Sequence, residues 1–134
     1  MSERPTEAVV DPYDVAQVTA VLAGTWDLMG PDGLADLMAR LPGARLVPGS
    51  PGRLFHTAVP AGVWVGPEHF LELSAEPVVH QHVVGGVVLR RAAVPPGELP
   101  TLLARLVGTL VRDQGSAADA TVVLTAARDV LHRL

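Results

Sequence analysis

The sequence predicts a single α+β domain, in which helices precede and follow an antiparallel β-sheet. Apolar residues recur at helical spacing in residues 15–29 and again in residues 99–111. Between them, residues 45–94 are rich in Val, Gly and Pro and divide into short alternating segments, which is typical of strands. A chain of 134 residues is long enough to bury one hydrophobic core and short for two domains.

The N-terminal part is predicted to contain a flexible leader, residues 1–10, followed by two helices of the domain, which spans residues 11–134. Asp11 and Pro12 favour a helix start, because Asp caps free N–H groups and Pro fits the first turn. The first helix ends at Gly30-Pro31 and its apolar stripe is Val15, Val18, Leu22, Trp26 and Met29. The second begins near Asp32, ends at Pro42-Gly43 and carries Leu34, Leu37, Met38 and Leu41.

The middle of the chain predicts an antiparallel meander of four to five strands. The predicted strands are residues 53–59, 62–65, 69–73 and the two arms of a hairpin within residues 78–91. Pro and Gly separate these segments and form turns. Connections this short imply that consecutive strands are antiparallel neighbours.

The hairpin prediction depends on Gly85-Gly86, which lies between two Val-Val pairs. A two-residue type I′ turn needs positive φ at both central positions, which glycine adopts readily. The turn predicts the facing pairs Val84–Val87, His82–Leu89, His80–Arg91 and Gln81–Arg90. A single long strand with a glycine bulge is the alternative, and it would unpair these residues.

The C-terminal part predicts one or two helices packed on one face of the sheet. In residues 99–111, seven of thirteen positions are Leu or Val and lie on one broad face. Gly115 is a suitable helix end, and S-A-A-D at residues 116–119 resembles a capping box that starts a last helix. Residues 121–124, T-V-V-L, fit a strand as well, so helix and strand both stay open there.

Composition excludes several classes of site and partner. The chain has no cysteine, and its ten basic residues, all Arg, are outnumbered by fourteen acidic residues, giving a net charge of −4. Without a basic cluster beyond Arg90-Arg91, we expect no nucleic-acid partner. Without a long apolar run or a signal-peptide pattern, we expect a soluble cytoplasmic protein with no membrane partner. Dinucleotide and phosphate-loop motifs are absent from the sequence, and we expect no cofactor.

The pair His80 and His82 raises the question of a metal site. Residues two apart on a strand share a face, so both imidazoles can reach one ion. A third ligand would come from His56 or His69, whereas Glu72 lies on the other face of its strand from His69. No candidate has a diagnostic spacing, so no metal site is predicted; His80 and His82 with His56 or His69 is the set to consider if one exists.

The same histidines are candidates for catalysis. His80 or His82 is the candidate general base, and Arg91 completes the catalytic set because it is predicted to face His80. A facing guanidinium lowers the pKa of His80 and keeps it neutral, as a base requires. Glu68, Glu72 and Glu76 are near enough in sequence to orient an imidazole. This interpretation predicts a small cofactor-independent enzyme of the isomerase or lyase type.

The sequence favours a non-catalytic binding or accessory protein, forming a homodimer or binding a protein partner through an apolar sheet or helix face. Only 18% of residues are charged and the mean hydropathy is +0.32, which leaves more Val and Leu than a small domain hides easily. A pocket of a few hundred Å3 that receives both His80 and His82 would indicate the enzyme. Histidines at a flat surface or an interface would indicate the binding protein.

Overall fold

The computed structural model describes residues 8–50 and 61–134. Within these residues, five strands and three helices form the predicted α+β domain. The elements in chain order are α1 (Val15–Ala39), β1 (Ala44–Val47), β2 (Gly62–Val65), β3 (His69–Glu72), β4 (Val79–Val84), β5 (Val87–Ala93), α2 (Leu99–Gln114) and α3 (Ala117–Arg133). A 3-10 turn, Pro96–Glu98, leads into α2. No helix within the two described ranges combines the length and hydropathy needed to span a bilayer.

The first helix is one element with a kink, where the sequence predicts two helices. The carboxylate of Asp14 accepts a hydrogen bond from the backbone N–H of Gln17 at 3.1 Å, so Asp14 and not Asp11 is the cap. Gly30 lies inside α1 with φ 69° and ψ −166°, a conformation that is essentially restricted to glycine. Pro31 follows and suits the start of a helical arm, because its missing N–H needs no partner there. The two predicted helices are the two arms of α1.

The sheet is the predicted antiparallel meander, with strands in the order β1-β2-β3-β4-β5. The strand β1 is absent from the prediction, because A-R-L-V holds one β-branched residue and no aromatic residue, whereas the equally short G-V-W-V of β2 holds three such residues. It pairs with β2 from Ala44–Val65 to Val47–Gly62. The predicted strand at residues 53–59 lies outside the described residues.

The helices cover one face of the sheet, and apolar side chains of both layers form the core. α1 packs against β1 and β2, α2 against β2, and α3 against α1 and α2. Val10 also belongs to this core, and its N–H donates to Oγ1 of Thr125 at 2.9 Å. The largest fully buried side chains include Leu22, Leu34, Met38, Leu71, Leu99, Leu103 and Leu124.

The last element is a helix, which resolves the choice that the sequence left open at residues 121–124. Ala120 and Leu124, one helical turn apart, are buried against the other helices. The predicted capping box is not formed: Ser116 makes no side-chain cap hydrogen bond. Its Oγ is buried and has no hydrogen-bond partner among the described residues.

The β4–β5 hairpin turns at Gly85-Gly86, as predicted. Both glycines have positive φ, 59° and 81°, and Val84 pairs with Val87. Beyond this point a β-bulge shifts the register between Val83 and His82. Because Val83 pairs with Val88 and His82 pairs with Arg90, the extra residue on β5 is Leu89.

The bulge corrects the three remaining predicted pairs by one residue on β5. The predicted pairs are His82–Leu89, Gln81–Arg90 and His80–Arg91. The observed pairs are His82–Arg90, Gln81–Arg91 and His80–Ala92. Since side chains alternate along a strand, the shift moves Arg90 to the face of the histidines and Arg91 to the opposite face.

Candidate functional site

Three histidines meet on the sheet face that the helices cover; we call His69, His80 and His82 the histidine cluster. His69 in β3 pairs directly with His82 in β4, and His80 is its diagonal neighbour. The rings of His69 and His82 are stacked, with centroids 4.8 Å apart and planes 7° apart. Nδ1 of His69 lies 3.0 Å from Nε2 of His80, a hydrogen-bond distance.

Strand alternation and pairing explain the position of the cluster. His69 alternates with Leu71, a fully buried core residue, and Leu71 in turn faces His80. The histidines therefore continue the apolar face of the sheet toward its β5 edge. They are half-buried, so they border the core without belonging to it.

Glu68 lies beside the cluster and contacts His82. Its Oε1 atom is 3.2 Å from Nε2 of His82, and both side chains are partly exposed. The pair is a hydrogen bond when the imidazole is neutral and an ion pair when it is protonated. Of the three glutamates expected to reach a histidine, Glu68 does so.

The cluster favours neutral imidazoles at two of its positions. Burial is the largest cause that lowers the pKa of His69, followed by the proximity of His82, and Glu68 acts in the opposite direction. Burial also lowers the pKa of His80, with further contributions from His69, His82 and Arg90. A neutral His80 has one ring nitrogen that accepts a proton or a hydrogen bond and one that donates.

Arg91, the third predicted catalytic residue, lies on the other face of the sheet. Its Nη2 atom donates to Oε2 of Glu72 at 3.2 Å, and the side-chain amide of Gln81 donates to the same carboxylate oxygen at 2.8 Å. The structure thus brings His80 and His82 together but not Arg91. Arg90 takes its place beside the histidines, because it faces His82.

A cavity of about 460 Å3 lies between β5 and the first turns of α2, and we call it the β5–α2 cavity. Of the three clustered histidines, His80 is the one found among the described lining residues. The polar lining residues are His80, Arg90, Glu98, Thr101 and Arg105. The cavity therefore combines a neutral histidine, two guanidinium groups and one carboxylate.

The metal hypothesis has no assembled ligand set in the part of the chain that the structure describes. There, no group of three or more His, Asp or Glu side chains is arranged to hold an ion. Nδ1 of His69 and Nε2 of His80 lie at hydrogen-bond distance from each other, 3.0 Å. His56, one of the predicted third ligands, lies outside the described residues.

Four polar residues of the cavity, Arg90, Glu98, Thr101 and Arg105, are not among the site residues that the sequence predicts. Arg105 and Thr101 belong to α2. The helical spacing of the sequence places Arg105 on the polar face of that helix. Their separation from His80 in the sequence does not predict that they line the same cavity, because this depends on how α2 packs over the sheet. Arg90 was visible as one of a basic pair, but its side of the sheet depends on the bulge at Leu89.

Apolar surface is concentrated at the end of the β4–β5 hairpin. We call Val84, Val87, Val88 and Leu89 the hairpin tip; their exposed fractions are between 40 and 61%. A second apolar feature is a groove of about 260 Å3 between α1 and α3, which we call the α1–α3 groove; its lining includes Met29, Leu37, Ala127, Val130 and Leu131. Both surfaces are available for contact with another molecule.

The fold and the site thus present three features: the histidine cluster, the β5–α2 cavity and the hairpin tip. Comparison of the chain with protein-family models, with curated proteins and with solved structures finds no match.

Proposed function

We propose that the protein is a non-catalytic binding protein that forms a homodimer through its β4–β5 hairpin. The observation that supports the proposal is the hairpin tip. Four neighbouring aliphatic side chains, Val84, Val87, Val88 and Leu89, are each at least 40% exposed. Removing them from water is favourable by roughly 25 cal/mol per Å2 of apolar area, so a matching apolar surface would bind them.

The edge of β5 is poorly suited to backbone pairing with a second sheet. Among the described residues, β5 is an edge strand of the sheet, with β4 as its one neighbour. The bulge at Leu89 interrupts the strand, and Arg90 and Arg91 follow directly, so two β5 strands side by side would bring four arginines together. Bulges and charges of this kind prevent edge-to-edge association. The proposed contact therefore uses side chains of the tip.

The α1–α3 groove of a second copy is the proposed receiving surface. Its lining is mostly apolar and includes Leu37, Ala127 and Leu131, and Asp36 and Arg40 are polar members of the same lining. At about 260 Å3 it is smaller than the roughly 300–1,000 Å3 of typical small-molecule sites. This size suits inserted aliphatic side chains. Reciprocal insertion of two tips into two grooves gives a closed twofold dimer.

Sedimentation equilibrium over a wide concentration range tests the dimer. We expect the wild-type chain to dimerise, and Leu89→Glu and Met29→Glu each to raise the dissociation constant at least about tenfold, because each places a charge in the apolar contact. Val122→Glu is the matched control, because Val122 is 68% exposed on α3 and belongs to neither surface.

Three outcomes would contradict the proposal. A wild-type chain that stays monomeric at every concentration excludes the homodimer. An equal effect of Val122→Glu shows that charge alone is responsible. A loss of dimer with Leu89→Glu but not with Met29→Glu excludes the groove as the receiving surface.

A small cofactor-independent enzyme is the second candidate function, and the β5–α2 cavity favours it. His80 lines a cavity of about 460 Å3 together with Arg90, and its lowered pKa keeps the imidazole available as a base. Isomerases and lyases of this type remove a proton next to a carboxylate or carbonyl group. In such a reaction, a guanidinium group would bind the carboxylate of the substrate, and His80 would accept the proton.

Proton exchange in D2O tests the enzyme without knowledge of the substrate. A panel of small carboxylic and keto acids is incubated with the protein, and loss of the proton signal next to the carboxylate or carbonyl group is followed by NMR. We expect exchange of at least one acid with the wild-type chain and none with His80→Asn. His132→Asn, on the exposed end of α3, is the control. Exchange that survives in His80→Asn, or is absent throughout the panel, would exclude this role of His80.

A further inference from the structure

We infer that the β5–α2 cavity binds a small organic carboxylate with an apolar body. The inference goes beyond the homodimer proposal, because the cavity and the hairpin tip are different surfaces. It names a ligand class for the cavity of the second candidate function, and it holds whether or not a bound acid reacts.

The charges in the cavity point to an anion. Arg90 and Arg105 both line it, and neither forms an ion pair with a described residue. Arg91 and Arg128, in contrast, pair with carboxylates at 3.2 and 3.1 Å. Glu98 is the one carboxylate among the described lining residues, so the two guanidinium groups leave an excess positive charge. This excess lies in a chain whose net charge is −4.

Two uncharged polar side chains in the lining can add directional hydrogen bonds. Thr101 supplies a hydroxyl group, and His80, with a pKa lowered by burial, supplies an uncharged imidazole. The first turn of α2 forms part of the wall, and this helix has no side-chain cap hydrogen bond at its amino end. Guanidinium groups bind carboxylates through two parallel N–H donors, so Arg90 or Arg105 is the expected primary contact.

The size and apolar lining of the cavity select an organic acid over a simple inorganic anion. A volume of about 460 Å3 lies within the roughly 300–1,000 Å3 of small-molecule sites. Ala92, Val94 and Leu102 provide apolar wall beside the charged groups. Val94 is almost fully buried and belongs to the core, so this wall is held in place by the fold. The arrangement matches a carboxylate at one end and a short aliphatic or aromatic body at the other.

Isothermal titration calorimetry at low ionic strength tests the ligand class with four probes. The probes are hexanoate, benzoate, the neutral hexanamide and inorganic phosphate. We expect saturable one-site binding of at least one of the two carboxylates, and binding at least about tenfold weaker for hexanamide and phosphate, since a charge-assisted hydrogen bond contributes about tenfold or more. Phosphate binding as tight as that of the carboxylates would overturn the assignment to an organic acid.

Variants locate the binding site. Arg90→Gln and Arg105→Gln are each expected to weaken carboxylate binding about tenfold or more, while Arg112→Gln leaves it unchanged. Arg112 is the matched control because it lies on the same helix as Arg105, is exposed and lies beside Asp113. Circular dichroism of each variant verifies folding. Absence of saturable carboxylate binding, or equal weakening by Arg112→Gln, would overturn the inference. Sedimentation equilibrium measures dimer formation and calorimetry measures carboxylate binding, so either proposal can fail without the other.

Discussion

Nδ1 of His69 lies 3.0 Å from Nε2 of His80, so the two imidazoles share a hydrogen bond between neighbouring strands. Such a bond needs a proton on one nitrogen and a lone pair on the other. At least one of the two rings is therefore neutral at this contact, and protonation of both would remove the bond and place two positive charges against each other.

Stability is expected to decrease in mildly acidic solution because His69 and His80 are partly buried. The folded-state pKa values of His69 and His80 are lowered from 6.5, mainly by burial, so the unfolded chain binds protons first as the pH falls. The contribution of these two histidines to stability is therefore fully present above pH 6.5 and is lost as the pH falls through that value toward the folded pKa values. Urea unfolding as a function of pH measures the slope. His80→Asn should flatten it and His132→Asn, on the exposed end of α3, should not; an unchanged slope in His80→Asn would contradict the prediction.

Two glycines are expected to respond in opposite ways to alanine. Gly30→Ala forces an L-residue into φ 69°, ψ −166°, so we expect a loss of about 1–3 kcal/mol in the free energy of unfolding. Gly108 lies inside α2 with open space where a Cβ would be, so Gly108→Ala should add about 0.5–1 kcal/mol. Chemical denaturation of both variants measures the difference. A neutral Gly30→Ala would mean that α1 accommodates the kink without glycine.

Two helix starts are expected to differ in their need for a polar cap. Asp14→Ala removes an acceptor that the N–H of Gln17 uses at 3.1 Å, and it should cost about 1 kcal/mol. Ser116→Ala removes a buried hydroxyl that has no hydrogen-bond partner among the described residues, so it should be neutral or stabilising. Thermal and urea unfolding compare the two variants. A cost at Ser116 equal to that at Asp14 would show that this hydroxyl does cap α3.

The carboxylate of Glu72 is expected to stabilise the sheet on the face opposite the helices. It accepts from Gln81 at 2.8 Å and from Arg91 at 3.2 Å and is itself buried. Because Arg91 is partly exposed, we expect Glu72→Gln to cost about 1 kcal/mol rather than the full value of a buried pair. Asp113→Asn breaks an exposed pair with Arg112 and should change stability by less than about 0.5 kcal/mol. Equal effects in urea unfolding would mean that burial of Glu72 adds nothing.

Elements with strong local patterns could be predicted from the sequence. Leu and Val at helical spacing predict the helix α2, and the Gly85-Gly86 pair, which can adopt positive φ at both positions, predicts the turn. The strand β1 is not predicted, because A-R-L-V holds one β-branched residue and no aromatic residue. The sequence of residues 121–124 fits both a helix and a strand, since a short apolar run does not distinguish between them.

The sequence by itself determined the α+β order and the common face of His80 and His82, because both follow from periodicities of single elements. The tertiary structure decided which other groups join them. One extra residue at Leu89 exchanged Arg91 for Arg90 beside the histidines. The packing of α2 brought Arg105 to the same cavity, across a separation in sequence that no local pattern encodes. Local sterics and side-chain alternation act within a few residues, whereas sheet register and helix packing depend on how the whole core fills.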